Sequence, residues 1–230
     1  MAVAASPALV ARVADGLALV RTRIATAGGD VGAVRVVAVT KGFGADAIAA
    51  ALANGLDDVG ENYAQEAVAK LAALGPSAAA RVHFIGRLQS NKIRMLAPVV
   101  TLWQTIDRAP LADALAQRVP GARVLVQVNV SDEPAKGGCA PDAAPALVER
   151  CRALGLSVEG LMTVGRTGAP DDARPGFARL RSLCDRMGLA VCSMGMTDDL
   201  EAAVAEGATM VRVGSALFGM RPSVTPPELP

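Results

Sequence analysis

The chain has 230 residues, with 23 Lys or Arg against 22 Asp or Glu, so its formal net charge is only +1. This balance argues against binding to nucleic acid or to an anionic membrane surface. No segment has the apolar length of a membrane span, and the amino terminus lacks the basic region of a secretory signal peptide. The four cysteines form no Cys-x-x-Cys pair, so we expect reduced thiols, no metal site and a cytoplasmic location.

The first predicted element is an amino-terminal helix. Ser6 is placed to cap this helix, and Pro7 occupies its first helical position. The apolar residues that follow share one helix face and are Leu9, Val13, Leu17, Val20 and Ile24. Near its other end the chain carries four prolines after residue 219, which argue against a closing helix there. The amino-terminal helix would therefore take the place of the missing last helix of a ring.

Eight β-rich segments follow, separated by alanine-rich segments that end in helix-stopping glycines such as Gly55, Gly75 and Gly207. The predicted strands span residues 34–41, 58–62, 82–86, 102–107, 123–130, 158–165, 190–196 and 210–218. Strands that alternate with helices predict a parallel sheet, and eight such units predict a single-domain (β/α)8 TIM barrel. We expect one domain over residues 1–230, with an irregular tail from about residue 221. An open doubly wound sheet is less favoured, because no Gly-x-Gly-x-x-Gly turn follows the first strand.

Lys41 ends the first predicted strand, in the segment "VRVVAVTKGFG". The carboxyl ends of barrel strands carry the active sites, so Lys41 is expected at the mouth of the barrel. If its side chain points inward, partial burial would lower the pKa of its amine and make it a nucleophile for an aldehyde. The alternative is a solvated lysine at the end of a strand.

The eighth predicted strand, "MVRVGSALFG", places its valines on one face and Arg212 on the other. Because the valines suit contact with helices, Arg212 is expected to project into the barrel. The turn at Gly214 and Ser215 offers backbone amides where such barrels commonly bind phosphate. Ser193, at the end of the seventh strand, would add a hydroxyl. The helix after that strand opens with two aspartates, which would repel an anion, so we expect any phosphate at Gly214 and Ser215.

A lysine that faces an arginine and a phosphate cradle suits a ligand with an aldehyde at one end and a phosphate at the other. Pyridoxal phosphate fits that description. Arg212 would face its ring nitrogen, and a guanidinium can only donate hydrogen bonds. An unprotonated ring nitrogen makes the cofactor a poor electron sink, so strong carbanion chemistry is disfavoured.

Several segments resemble a known family: "VAVTK", "VGENYAQE", "HFIGRLQSNK", "TIDR", "VLVQVNVSDEPAKGG", "GLMTVG" and "SMGMTDDLEAAVAEGATMVRVGSALFG". Together they resemble the pyridoxal phosphate homeostasis protein family, also called the proline synthase co-transcribed type, over residues 34–219. The resemblance implies a single-domain barrel related to the amino-terminal domain of alanine racemase. It also implies pyridoxal phosphate held as an internal aldimine.

The resemblance also assigns roles to individual residues. The Schiff-base lysine of the family falls on Lys41, and the arginine beside the ring nitrogen falls on Arg212. The phosphate would be held by Ser193, Gly214 and Ser215, and the pocket would be lined by Asn62 and Met162. Two segments depart from the family pattern: the chain reads "TKGFG" where the family has "SKTKP", and "SDEPAKGG" where it has "SGExxKxG".

These observations favour a pyridoxal phosphate binding protein that buffers the cofactor or delivers it to apo-enzymes, without turnover of its own. We expect a monomer, because the second domain of the racemases has no counterpart in this sequence. One alternative is a pyridoxal phosphate dependent racemase or lyase. Another is a cofactor-free aldolase that uses Lys41 as its nucleophile. His83, the one histidine, is expected to be structural, Gln127 and Asn129 to face the interior, and Lys136 to be a solvated loop charge.

Overall fold

Eight parallel strands close into a barrel in the order β1 to β8. The computed structural model describes residues 3–76, 78–131 and 133–220. The strands are β1 (Arg35–Val39), β2 (Asp58–Glu61), β3 (Arg81–Phe84), β4 (Val100–Ile106), β5 (Arg123–Gln127), β6 (Ser157–Met162), β7 (Val191–Ser193) and β8 (Met210–Val213). The helices are α1 (Pro7–Thr26), α2 (Ala45–Ala53), α3 (Ala64–Leu74), α4 (Ile93–Leu96), α5 (Ala109–Arg118), α6 (Ala144–Ala153), α7 (Arg174–Arg186), α8 (Leu200–Ala205) and α9 (Ser215–Phe218).

The pairing of β1 with β8 closes the barrel, with Val37 opposite Arg212. This closure confirms the predicted single-domain (β/α)8 barrel and excludes the open sheet. The predicted irregular tail from about residue 221 lies outside the described residues. Within the described residues, no helix combines the length and the apolar character that a membrane crossing requires.

Helix α1 is built as the sequence predicts. The Ser6 hydroxyl accepts a hydrogen bond from the Leu9 backbone N–H at 3.2 Å, and Pro7 begins the helix. The buried face of the helix comprises Val13, Gly16, Leu17, Val20 and Ile24. This face packs against α2, α8 and α9. The amino-terminal helix therefore lies beside the short last helix of the ring and completes the outer layer there.

The end of the chain's last strand differs from the prediction. Strand β8 stops at Val213, whereas the sequence pattern extended it to residue 218. The backbone N–H groups of Leu217 and Phe218 both donate to the carbonyl of Gly214 at 3.0 Å, which closes a helical turn. A short apolar run fits a strand or a buried helix equally well, and burial of Leu217 and Phe218 beside α1 selects the helix. Other predicted strands also end early, since β1 stops at Val39.

The apolar core has two parts. The larger part lies between the barrel and the surrounding helices, where Val211, Val213 and Ala38 pack. The smaller part fills the barrel interior and consists of Val37, Leu102, Leu125, Met162 and Met210. Alternation along each strand separates the two parts, because neighbouring residues point to opposite faces. The interior part forms an apolar floor within the barrel.

Candidate functional site

A cavity of about 240 Å³ opens at the carboxyl ends of β1 and β8. Its lining residues are Val39, Lys41, Phe43, Ile85, Met196, Thr197, Asp198, Arg212, Gly214, Ser215 and Gly219. Four of the seven predicted site residues therefore meet here: Lys41, Arg212, Gly214 and Ser215. The closure of the barrel brings them together, because β1 and β8 are adjacent strands.

The turn that carries Lys41 follows directly after β1. Thr40 is fully buried, whereas Lys41 is only partly buried. The Phe43 backbone N–H donates to the Thr40 carbonyl at 3.1 Å, and Gly42 adopts a φ of +74°, which favours glycine. The Phe43 ring packs at a tilt on the Phe218 ring, with 5.3 Å between their centroids. The "GFG" segment that departs from the family pattern thus makes a tight turn and ties it to α9.

Arg212 projects into the barrel, as the strand pattern predicts, and is only 4 % exposed. Its Nη1 donates to the Ser193 hydroxyl at 2.8 Å, and its Nη2 donates to the Thr163 carbonyl at 2.6 Å. Burial lowers the pKa of the guanidinium to about 10, which still leaves it charged at neutral pH. The two hydrogen bonds hold this charge at the inner wall of the cavity.

Below Arg212, hydrogen bonds link side chains across the barrel interior. The Ser193 hydroxyl donates to Gln104 Oε1 at 2.8 Å, and Gln104 Nε2 donates to His83 Nδ1 at 2.8 Å. With Nδ1 acting as acceptor, the imidazole carries its hydrogen on Nε2 and donates to Asp58 Oδ1 at 2.9 Å. This orientation of the Gln104 amide is the one that pairs every donor with an acceptor. We call Asp58, His83, Gln104, Ser193 and Arg212 the interior chain.

Asp58 is the acceptor at the far end of the interior chain. Burial acts to raise the pKa of this carboxyl, but hydrogen bonds from His83 and Arg81 outweigh burial and hold the pKa below its ordinary value. Asp58 therefore stays ionised, and at its end of the interior chain it acts only as a hydrogen-bond acceptor. The interaction also gives His83 the structural role that its position near the start of a strand predicts.

Three predicted site residues are not among those that line the cavity. Ser193 is fully buried, and its hydroxyl already pairs with Gln104 and Arg212. Met162 belongs to the apolar floor inside the barrel. Asn62 follows β2, and its Oδ1 is buried with no hydrogen-bond partner among the described residues. The roles of Ser193, Met162 and Asn62 toward a cofactor stay predictions.

The loop after β5 differs from its prediction at one residue. Gln127 and Asn129 support the loop, since their amide groups donate to the carbonyls of Lys136 and Glu133 at 2.9 and 3.0 Å. The sequence predicts a solvated charge at Lys136. Instead it pairs with the Glu133 carboxylate at 2.9 Å and donates to the Gly165 carbonyl, and its side chain is 16 % exposed. The ion pair lowers the pKa of Glu133 to about 2.

Sequence reasoning missed two residues that support the site. Gln104 links Ser193 to His83, and its signal is an amide within the apolar strand "TLWQTI". Lys70 reaches from α3 to the Thr40 carbonyl at 2.8 Å, directly before Lys41. Its signal is the i,i+4 pair with Glu66 on the same helix, which alone reads as an ordinary surface ion pair.

Comparison with known proteins assigns the chain to a family. The model of the alanine racemase N-terminal domain matches residues 11–222. The pyridoxal phosphate homeostasis protein of Pseudomonas aeruginosa is 44 % identical over 221 residues, covering 91 % of this chain and 96 % of the relative. The crystal structure of an unknown protein from Bifidobacterium adolescentis is 36 % identical, with a TM-score of 0.85 and coverage of 95 % of this chain and 98 % of that one.

A solved structure with a ligand extends the comparison. PipY of Synechococcus elongatus PCC7942, determined with pyridoxal phosphate (PLP) bound, is 32 % identical to this chain. The match has a TM-score of 0.75 and covers 87 % of this chain and all of PipY. The chain therefore belongs to the pyridoxal phosphate homeostasis protein family, whose barrel is that of the alanine racemase N-terminal domain.

Proposed function

We propose that this protein binds pyridoxal phosphate in the cavity between β1 and β8 and holds it in reserve for other proteins. One observation carries the proposal: Lys41, Arg212, Gly214 and Ser215 line a single cavity in a chain of this family. Lys41 is the covalent anchor. The recipients in this proposal are apo-enzymes that need the cofactor, and the protein acts as a monomer in the cytoplasm.

The cavity suits the three chemical parts of pyridoxal phosphate. When the cofactor binds, its aldehyde condenses with an amine, so that a carbon–nitrogen double bond replaces the carbonyl and one water leaves. Lys41 supplies that amine. The apolar side chains of Val39, Ile85 and Met196 offer walls for a flat ring.

The phosphate end belongs at Gly214 and Ser215. Helix α9 begins at Ser215, and the first backbone N–H groups of a helix have no carbonyl partner within it. A phosphate oxygen can accept from such groups. A side chain on residue 214 would place its Cβ 3.3 Å from the Val39 carbonyl, so glycine leaves this edge of the cavity open.

Arg212 argues for binding without turnover. Its guanidinium has only hydrogen-bond donors, so it cannot take the proton that an aspartate would share with a ring nitrogen. If the ring nitrogen of the bound cofactor faced Arg212, it would find no proton acceptor there and would stay unprotonated, and the ring would withdraw electrons weakly. The proposal is therefore a reversible tether rather than a racemase or a lyase.

The proposal is tested by the visible absorbance of purified protein after incubation with pyridoxal phosphate and dialysis. Wild type should retain a yellow chromophore that borohydride abolishes. Lys41→Ala should retain none, with an affinity at least about tenfold weaker, because the covalent bond is lost. Lys92→Ala, a substitution in a 3-10 turn that is not part of the cavity lining, is the matched control and should bind as wild type does.

Two results would contradict this function. Steady racemisation or deamination of an amino acid by the loaded protein, abolished by Lys41→Ala, would make it an enzyme. A wild type that forms no chromophore, but is trapped by borohydride with a sugar phosphate, would make it an aldolase.

A further inference from the structure

Lys70 is a buried lysine outside the cavity lining. It lies on the inner face of α3, and the residue is 7 % exposed. Its Nζ donates three hydrogen bonds: to the Thr40 carbonyl at 2.8 Å, to Glu61 Oε1 at 2.8 Å and to Glu66 Oε2 at 3.0 Å. An ammonium has three hydrogens, so these acceptors use all of them. We call Lys70, Glu61 and Glu66 the Lys70 cluster.

The Lys70 cluster holds the backbone on both sides of Lys41. The Thr40 carbonyl belongs to the peptide group before the Lys41 Cα, and Lys70 binds it. The Gly42 N–H belongs to the peptide group after that Cα, and it donates to Glu66 Oε2 at 3.0 Å. Peptide groups are planar, so fixing both of them fixes the two backbone torsions of Lys41. The direction of its Cα–Cβ bond is thereby fixed as well.

A third contact restrains Thr40 further. The Thr40 hydroxyl donates to Glu61 Oε1 at 2.6 Å, and the same oxygen accepts from Lys70. Thr40 is therefore bound through its side chain and through its carbonyl to two members of the cluster. Strand β2 and helix α3 supply those members, so two neighbouring elements set the position of the turn.

Stability alone does not account for a buried cluster of this kind. Glu61 and Lys70 lose hydration on burial, and apolar residues of similar volume commonly replace such groups without loss. The neighbours of Lys70 on the inner face of α3 are Ala67 and Leu74, which an apolar side chain at position 70 would join. What an apolar residue cannot supply is a donor for the Thr40 carbonyl.

We propose that Lys70 is a positioning residue that aims the Lys41 amine at the aldehyde of pyridoxal phosphate, with Glu66 and Glu61 as its partners. The inference rests on the proposed function. It assigns the Lys70 cluster a role in bond formation and none in holding the ring or the phosphate, because no member of the cluster lines the cavity.

The test compares two ligands on three variants. Pyridoxal 5′-phosphate reports bond formation, measured as the rate of borohydride-stable labelling at Lys41. Pyridoxine 5′-phosphate carries an alcohol in place of the aldehyde, so its Kd reports the pocket alone. The variants are Lys70→Met, Glu66→Gln and, as a matched control, Asp185→Asn, which breaks an exposed i,i+4 ion pair with Arg181 on α7.

Labelling at Lys41 should slow about tenfold in Lys70→Met, because a small displacement of the reacting amine lowers the rate of bond formation. Glu66→Gln should slow it by a factor of about three, since an amide oxygen still accepts from Gly42 but more weakly. Both variants should bind pyridoxine 5′-phosphate within about twofold of wild type. Asp185→Asn should change neither quantity.

Other outcomes overturn specific claims. Equal losses with both ligands would mean that the Lys70 cluster only supports the fold, which contradicts positioning. Unchanged labelling in Glu66→Gln would also contradict it. The Glu66 side chain is 37 % exposed, so we expect this variant to fold. A wild type that takes no label at Lys41 would overturn the proposed function itself.

Discussion

At the scale of single residues, the site depends on buried polar side chains that hydrogen-bond to one another. Arg212 is held by Ser193 and Thr163, and Ser193 is held in turn by Gln104. A buried polar group without a partner is costly, so removal of one member leaves its neighbours unsatisfied. The position of Arg212 therefore depends on residues that lie deeper in the barrel than the cavity.

Gln104→Leu tests how much these buried hydrogen bonds contribute to stability. The substitution leaves His83 Nδ1 without its donor and the Ser193 O–H without its acceptor, although the Ser193 oxygen still accepts from Arg212. Each unsatisfied group costs about 1–3 kcal/mol. We expect the free energy of unfolding to fall by about 2–6 kcal/mol in urea denaturation. Gln117→Leu, at an exposed position of α5, is the control and should stay within about 0.5 kcal/mol of wild type. A loss below about 1 kcal/mol for Gln104→Leu would mean that the hydrogen bonds of Gln104 contribute little to stability, which contradicts this prediction.

The sequence predicts some of these residues and not others. The inward direction of Arg212 follows from strict alternation along β8. The contact of Gln104 with His83 does not, because the pairing of β3 with β4 shifts register between Val82 and His83. A shift of register changes which residues face each other across two strands. Strand periodicity alone therefore does not identify the partner of Gln104.

At the scale of elements, α1 and α9 together occupy the position of the last helix of the barrel. They cross closely at Gly16, where a Cβ would overlap the carbonyl oxygen of Ala216 and lie 3.0 Å from Leu217 Cα. The residue before Ala216 is Ser215, which lines the cavity. Contact between the two helices thus sets the position of one wall of the site.

Gly16→Ala tests that contact. Alanine is a better helix former than glycine by about 1 kcal/mol, so helix propensity alone predicts a more stable protein. We expect the opposite, a loss of about 1–3 kcal/mol, because the methyl group pushes against the backbone of α9. Binding of pyridoxal phosphate should weaken as well, measured by titration of the visible absorbance.

The control for this substitution is Ala18→Ser, at an exposed position of the same helix, which should leave binding unchanged. A Gly16→Ala protein that gains stability and keeps its affinity would show that α9 adapts freely. The same contact bears on the prediction of a strand over Ser215–Phe218, which was wrong because these residues form helix α9. Residues 215–218 pack against α1, and this tertiary contact is not encoded in the local sequence pattern.

At the scale of the whole molecule, closure of the barrel brings together residues that are far apart in the sequence. Lys41 and Arg212 lie near opposite ends of the sequence, yet β1 and β8 are neighbours, and both residues line one cavity. The alternation of strands and helices predicts this closure, and the glycines and prolines predict where the helices begin and end. The supporting layer beneath the mouth, with Lys70 and Gln104, arises from tertiary contacts that alternation does not encode.

The most direct test of the central claim is the location of the covalent label. The chain contains only four lysines, at positions 41, 70, 92 and 136, so peptide mass spectrometry can assign the label without ambiguity. Wild-type protein is loaded with pyridoxal 5′-phosphate, reduced with borohydride and digested. We expect one pyridoxyl group per chain, on Lys41. A label on Lys70, Lys92 or Lys136 in its place, or no label at all, would contradict the proposed role of Lys41.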